Sequence, residues 1–370
     1  MFRTFVAESH DVREALYRLR YEIFTAAQQK YRNIADHERR KLVDSIDEHA
    51  VHLCLESDGE LIGSMRQLQG LEHVPSTLRT NLSLEKFVQF PSSAFTFSGR
   101  LLILPAHRGS QALLTLVRFA FESGRSRRAE FDFIFCNPNL VRFYELMGWR
   151  RYRPYFEDPG LGFQVPMVLV ADDVVHLEAI RSPFAELARN FAGDGRHARW
   201  FRETFPEYQH FVSPVTIGAE AFSEILAHKI NDVSIDLFDR FEPDELKTLL
   251  QMVSHFEIAE QTRIIRQGAW GEELYLILNG VAEARRRTAD GQLRILSTMG
   301  RGDVFGEMSV FTGRPRSADV VAQSGLEVVF LDRSSLEKLM KGQPTIAGKL
   351  LFNLCRLMSE RVRARELGLE

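Results

Sequence analysis

What this sequence lacks narrows it first. Its 370 residues include only three cysteines. Cys54, Cys136 and Cys355 are odd in number, far apart and without metal-ligand spacing, so neither a disulfide framework nor a metal centre is expected. No apolar run approaches the ~20 residues that cross a bilayer, and the opening MFRTFVAESHDVREALYRLRYEIF has no apolar leader segment. No membrane span is expected, and a cytoplasmic location is. Excess charge of one sign is missing too: 47 Lys+Arg against 50 Asp+Glu leave a net charge of -3 and a pI near 6.4, giving no global attraction for nucleic acid. Internal repeats and low-complexity segments are absent. What is present is core material, 45% hydrophobic against 26% charged. A single core rarely grows past ~250–300 residues, so two domains are expected.

Apolar Val12, Leu16, Leu19 and Ile23 recur at helical spacing and predict an early amphipathic helix within residues 10–30. HAVHLCLESDGELIGSMRQL follows as two strand-like runs joined at Asp58-Gly59, a tight-hairpin signature. Ala94 to Ile103 reads as a strand and 111–124 as a helix. Next come the strand EFDFIFCN, a helix in NLVRFYELMGW, and two last strands within Arg151–Tyr155 and Phe163–Val170. The charged, mostly helical stretch that follows reads as a connector. The predicted boundaries are 1–175, a connector over 176–225, and 226–370.

Phe305-Gly306-Glu307-Met308-Ser309, then Arg316-Ser317-Ala318, carry the sharpest chemistry. A cyclic phosphate bears one diffuse negative charge, which suits backbone N–H groups at a helix start and the planar donor fork of a guanidinium. Arg316 supplies that fork. Gly306 lets the backbone approach a sugar, Glu307 accepts from a ribose 2′-hydroxyl, and Ser317 adds a hydroxyl. The set resembles the phosphate-binding cassette of the cyclic nucleotide-binding domain family, F-G-E-[LIM]-[AS]-L followed by P-R-[ST]-A. Upstream, Arg266-Gln267-Gly268, Gly271-Glu272-Glu273-Leu274-Tyr275 and Gly280 fit that family's early strands. The resemblance implies a β-roll with flanking helices and cyclic AMP as the ligand, since Ser317 stands where a threonine helps hold guanine. Leu354, Leu357 and Met358 become candidates to touch the purine. The C-terminal helix could pair two copies in a homodimer or cover its own domain. No helix-turn-helix follows, so DNA is not an expected partner.

In the first half, Pro105-Ala106-His107-Arg108-Gly109-Ser110-Gln111 and Asn137-Pro138-Asn139 through Tyr144-Glu145 to Gly148-Trp149 resemble the GCN5-related N-acyltransferase superfamily. That resemblance implies a mixed α/β sheet and an acyl-CoA or acyl-carrier-protein donor. Arg108, Gly109, Ser110 and Asn137 would face the donor, and Tyr144 would protonate the leaving thiolate. Gln111 and Leu113 replace two small residues of the usual phosphate loop, which favours a donor held by its pantetheine arm. Within the superfamily, Arg20-Tyr21-Glu22-Ile23-Phe24, Asp44-Ser45-Ile46-Asp47, Gly63-Ser64-Met65-Arg66 and Ser98-Gly99-Arg100 resemble acyl-homoserine-lactone and N-acyl amino acid synthases. This implies that Arg20, Asp44, Asp47, Arg66 and Arg100 bind or frame a small amine acceptor. Phe97 stands where the homoserine-lactone synthases keep a glutamate. Asp132, Cys136, Ser98 and His107 all qualify by type as the general base, and a water chain would serve as well.

The combined reading is an α+β chain: a GCN5-like acyltransferase domain, a helical connector and a cyclic nucleotide-binding β-roll. Its expected activity is cyclic-nucleotide-regulated transfer of an acyl group from a thioester to a primary amine. A non-catalytic nucleotide sensor on a decayed acyltransferase fold, and a regulated protein lysine acetyltransferase, are the alternatives.

Overall fold

The structure is a computed structural model that describes all residues except 29, 159–160, 192, 207–212, 214, 216–217, 232–234, 289–290 and 368–370. It divides into two units, 1–210 and 211–370.

The first unit contains β1 (Phe2–Val6), α1 (His10–Arg20), β2 (Ala50–Ser57), β3 (Glu60–Gln69), α2 (Ser76–Asn81), β4 (Phe95–Ile103), α3 (Ala112–Ser126) and β5 (Phe131–Cys136). It continues through α4 (Val141–Met147), β6 (Arg150–Arg151), β7 (Phe156–Asp158), β8 (Gly162–Val170), α5 (Val174–Ala179), α6 (Ala185–Asn190) and α7 (Arg196–Thr204). A π-helical turn, Tyr21–Ala27, prolongs α1. The sheet order is β1-β2-β3-β4-β5-β8-β6, with β7 also on β8. The β2–β3 hairpin turns at Asp58 and Gly59, both at positive φ (53° and 83°), as a two-residue primed turn requires.

β4 and β5 are the parallel pair, and they hold register only from Phe95↔Phe131 to Phe97↔Phe133. Beyond those residues the two strands are no longer paired. Alternation along a strand sends neighbours to opposite faces. Phe95, Phe97, Phe131 and Phe133 therefore enter one aromatic core with Phe87 and Tyr152. On the other face α3 buries Ala112, Leu116 and Ala120 against Leu53, Leu55, Ile62 and Met65.

Two differences from the sequence reading have clear causes. β1 is a short edge strand whose half-exposed residues lack the alternation that marks a strand. Much of the predicted connector belongs to the first unit: Phe201 and Phe205, one helical turn apart, are fully buried in the core of Phe87 and Tyr152. Phe184 stacks on Phe121 at 4.9 Å. The charged residues of α5 to α7 concealed these inward aromatics. The rest of the connector lies partly outside the described residues.

The second unit contains α8 (Ala219–Asn231), α9 (Pro243–Leu250), β9 (Ser254–Ile258), β10 (Arg263–Ile265), β11 (Glu273–Asn279), β12 (Ala282–Arg287), β13 (Leu293–Met299) and β14 (Val304–Phe305). α10 (Glu307–Thr312), β15 (Asp319–Ala322), β16 (Leu326–Asp332), α11 (Arg333–Gly342) and α12 (Pro344–Glu366) complete it. Two antiparallel four-stranded sheets, β10-β15-β12-β13 and β14-β11-β16-β9, form a roll. Helices α8, α9, α11 and α12 bury Phe222, Leu246, Leu339 and Leu354 against Leu274, Leu276 and Leu331 of one sheet. Leu354, with Leu357 and Met358 against the same cluster, therefore serves that core.

Candidate functional site

Arg20, Asp44, Asp47, Arg66 and Arg100 come from four separate stretches of chain and meet in one network. Arg20, at the junction of α1 with the π turn, is completely buried. Its Nη1 donates to Asp47 Oδ1 at 2.7 Å and its Nη2 lies 3.1 Å from His52 Nδ1. Arg66 Nη1 donates to Asp44 Oδ1 at 2.6 Å and lies 3.2 Å from Asp47 Oδ1. Arg100 Nη2 reaches Asp44 Oδ2 at 2.6 Å. The D-x-x-D spacing closes on itself, because the Asp44 backbone N–H donates to Asp47 Oδ2 at 2.8 Å.

Electrostatics keep this network cationic. Burial alone would raise the Asp47 carboxyl, but Arg20 and Arg66 bring it down to about 2. Asp44 is likewise held below its ordinary value by Arg66 and Arg100 against the effect of burial. His52 is pushed down to about 4, by burial first and then by Arg20, so it is neutral near pH 7. Three arginines face two carboxylates.

Two members keep a buried donor with no hydrogen-bond partner among the described residues, Arg20 at Nε and Arg100 at Nη1, and Arg100 is the one set apart by its backbone. The register of β3 on β4 slips between Ser64↔Leu102 and Arg66↔Gly99, a bulge that re-aims a side chain. Arg100 accordingly sits at φ 54°. Its guanidinium lies 3.6 Å from the ring centroid of Tyr31, itself at φ 58°. Its buried Nη1 has no hydrogen-bond partner among the described residues. Tyr31 was not legible as a site residue, because only the fold brings it to Arg100.

Tyr144 lies on α4, buried, with its ring edge-on to Trp149 at 5.5 Å. Burial raises its phenol above the ordinary value, and Cys136, Asp132 and Tyr31 push the same way. The group therefore keeps its proton. Asn137 Nδ2 donates to Leu161 O at 3.3 Å. In the loop before α3, the N–H groups of His107, Arg108 and Ser110 donate to Leu104 O, Pro105 O and His107 O. Ala112 N–H donates to Ser110 Oγ, and Arg108 Nε to Ile103 O at 3.4 Å. Gly109, at φ 78°, supplies the turn. Most of this loop's donors are thus committed inside it.

In the second unit Gly306, at φ 82°, opens α10. Phe305 stacks on Tyr275 at 4.9 Å and is buried, as is Ala318, so both support the cassette from below. Glu307 is half-buried at the first position of α10, Met308 is exposed, and Ser309 is buried. Ser317 is exposed, its Oγ 3.7 Å from Met308 Sδ. Arg316 is buried between two glycines: a Cβ on Gly271 would lie 2.5 Å from Nη2, and one on Gly306 2.7 Å from Nη1. Arg316 Nη2 donates to Glu273 Oε2 at 2.9 Å and Nη1 to Gly306 O at 2.5 Å.

The comparisons with known proteins divide at the same place as the two motif sets. Residues 15–173 match the family model N-acyl amino acid synthase FeeM. Residues 255–343 match the cyclic nucleotide-binding domain. The chain thus joins an N-acyltransferase-family domain to a cyclic nucleotide-binding domain. The nucleotide-binding domain is 28% identical over 127 residues to the CRP-like cAMP-activated global transcriptional regulator of Mycobacterium tuberculosis, covering 34% of this chain and 55% of that protein. It is 32% identical over 134 residues to the cyclic AMP receptor protein of Thermus thermophilus, covering 36% and 60%. The match therefore spans little more than half the length of these relatives. Among solved structures, a cyclic nucleotide-binding domain from Methylobacillus flagellatus KT is 26% identical, covering 39% of this chain and 80% of that one, with a TM-score of 0.35.

Other charged clusters are neutralised internally. Glu130, Asp172 and His197 place ligand atoms within 4.8 Å of one another, but Glu130 pairs with Arg125 and Asp172 caps α7 through the N–H groups of His197 and Ala198. Glu327, near His255 and Glu257, pairs with Lys229. No described helix is long and apolar enough to cross a membrane.

Within the nucleotide-binding domain, Gly271 and Glu273 lie against Arg316, and motif reading did not single them out. Both stood in view as strand-pattern residues. Their proximity to Arg316 comes from two backbone hydrogen bonds just before β11, Gly268 N–H to Arg316 O and Arg316 N–H to Ala269 O, each 2.8 Å, which no local spacing encodes.

Proposed function

We propose that the synthase domain transfers an acyl group from a thioester to the amine of an amino acid and that cyclic AMP bound at Arg316 regulates the transfer. One observation carries the acceptor assignment: the buried, unpartnered Nη1 of Arg100 at the edge of a network with one surplus positive charge. A carboxylate is the group that satisfies such a donor, and an amino acid brings one attached to the nucleophile. The amine nitrogen attacks the thioester carbonyl carbon as the C–S bond breaks. Tyr144, kept protonated by burial, supplies the proton the sulfur needs.

Acyl-CoA and acyl carrier protein both present the pantetheine thioester. The internal bonding of the 104–112 loop supports a donor gripped along pantetheine, as on a carrier protein, over one gripped at a pyrophosphate. In the nucleotide-binding domain, a phosphate would take Arg316 donors now given to Glu273. For control, the nucleotide must favour one state of the chain over another, because equal affinity for both shifts nothing.

The test is mass spectrometry of products after incubation with acyl-CoA or acyl carrier protein, an amino acid mixture, and cyclic AMP present or absent. An N-acyl amino acid whose yield responds to cyclic AMP is expected. Absence of any acylated amine under all conditions would overturn the enzyme reading; equal yields would overturn the regulation.

A further inference from the structure

Where the pairing of β4 with β5 ends lies a buried polar cluster that the acceptor network and Tyr144 leave unused. Ser98 is the first β4 residue beyond the last parallel pair, Phe97↔Phe133. Alternation puts Thr96 and Ser98 on the face opposite the aromatic core, together with Asp132, which is in register with Thr96. There the hydroxyls of Thr96 and Ser98 both donate to Asp132 Oδ1, each at 2.7 Å. Gln67 Nε2 donates to Ser98 Oγ at 3.3 Å. With its hydrogen committed to Asp132 and one lone pair taken by Gln67, Ser98 has one lone pair left to accept a proton.

Four side chains qualify by type as the base that must take the amine's proton, and their surroundings separate them. Burial raises the Cys136 thiol far above its ordinary value, and its Sγ faces Met167 Sδ at 3.7 Å. His107 lies in the loop before α3, edge-on to Phe2 at 6.5 Å. Ser98 by itself is too weak a base. Asp132 is a carboxyl raised to about 7 by burial, with the Thr96 and Ser98 hydroxyls and then Arg127 opposing the rise. Such a group changes protonation near neutrality, where a general base is most effective. The charged and titratable groups around it are Arg125 and Arg127 at the end of α3, Glu130 just before β5, and Tyr144 on α4, which senses its charge.

We propose that Asp132 accepts the proton of the attacking amine through the Ser98 hydroxyl. This rests on the acyl-transfer reading and deepens it. As the N–C bond forms and the C–S bond breaks, the nitrogen passes one proton to Ser98 Oγ while Ser98 passes its own to Asp132 Oδ1. Tyr144 gives its proton to the thiolate. The products are the amide and the free thiol, with Asp132 protonated and Tyr144 deprotonated. Solvent resets both, and no oxidant or further reactant is needed. A cavity of about 20 Å³ bounded by Gln67, Thr96, Phe121, Asp132 and Trp149 adjoins the carboxyl, room enough for a water to carry the proton away. In this relay Ser98 would meet the nucleophile, and Asp132 acts through it.

The experiment is the pH–rate profile of amide formation by the full chain, with cyclic AMP at saturation, for wild type, Asp132→Asn, Ser98→Ala and Thr96→Val. Wild type should gain rate as pH rises through about 7. Asp132→Asn and Ser98→Ala should each lose that limb and about 100-fold in kcat, a typical loss for general-base removal, with an unchanged near-ultraviolet circular dichroism spectrum, which reports the aromatic core of the first unit, as the folding control. Thr96→Val removes one donor to the carboxylate, so its limb should move to higher pH while persisting, a change that a purely structural role would not produce. If wild type forms product and Asp132→Asn keeps the wild-type limb, or Thr96→Val leaves it in place, the relay is overturned and acyl transfer stands. If wild type forms no acylated amine, the acyl-transfer reading falls and takes the relay with it.

Discussion

Glu273 and Arg316 form a buried ion pair, 2.9 Å from Oε2 to Nη2, at the place where a cyclic phosphate would bind. In the proposed site the phosphate would compete with Glu273 for that guanidinium. Arg316→Ala should abolish cyclic AMP binding, because it removes the charge partner and leaves Glu273 buried without its cation. Glu273→Gln should tighten binding several-fold by weakening the competing anion. Calorimetric titration with cyclic AMP measures both, and unchanged affinity in Arg316→Ala would exclude this pocket.

Gly271 makes the same point sterically. A methyl group there would lie 2.5 Å from Arg316 Nη2, and the guanidinium is held on its other side by Gly306 O. Gly271→Ala should weaken cyclic AMP affinity at least tenfold, equivalent to about 1.4 kcal/mol, while the melting temperature changes little. An affinity equal to wild type would show that Arg316 binds phosphate from a different position.

Arg100 and Tyr31 each adopt the left-handed backbone region, at a cost of roughly 1–3 kcal/mol apiece that surrounding structure must offset. Tyr31→Ala should raise KM for the amino acid with a smaller effect on kcat, since it frees the guanidinium plane without removing its charge. Tyr31→Phe should retain wild-type kinetics because the stacked ring remains. Arg100→Ala should raise KM further than Tyr31→Ala. Steady-state kinetics with varied acceptor decide this, and a Tyr31→Ala variant changed in kcat alone would contradict the positioning role.

Acid should destabilise the first unit in two windows. His52 falls from its ordinary 6.5 to about 4 on folding, so the unfolded chain binds the proton first and stability is lost as pH drops from 6.5 towards 4. Asp47 falls from 3.8 to about 2; its stabilisation is complete above 3.8 and is lost as pH falls towards 2, amounting to ~2 kcal/mol. His52→Gln should flatten the upper window and Asp47→Asn the lower one. Denaturant melts at stepped pH measure both, and parallel curves for wild type and His52→Gln would refute the first.

Much of this architecture was legible because its signals are local. The Asp58-Gly59 turn needs positive φ at two adjacent residues, α3 repeats its apolar positions at helical spacing, and the cassette's Gly-Glu and Arg sit within a dozen residues. The aromatic helices after β8 were not legible, since Phe201 and Phe205 look like any exposed-helix residues until Phe87 and Tyr152 surround them. Residue types at Arg20, Asp44, Asp47, Arg66 and Arg100 marked them as a set, but not that two carboxylates bridge three arginines.

By itself, then, the sequence determined the two domain families, the cyclic nucleotide cassette and the candidate tyrosine, because backbone demands and residue chemistry at short range suffice for those. Tertiary structure decided the rest. Strand register set Asp132 against Thr96 and within reach of Ser98, a bulge aimed Arg100 at Asp44, and backbone bonds from residues 268–269 to Arg316 brought it to Glu273. Each joins residues distant in sequence, and in each case burial sets the charge and the bonding that give the contact its chemistry.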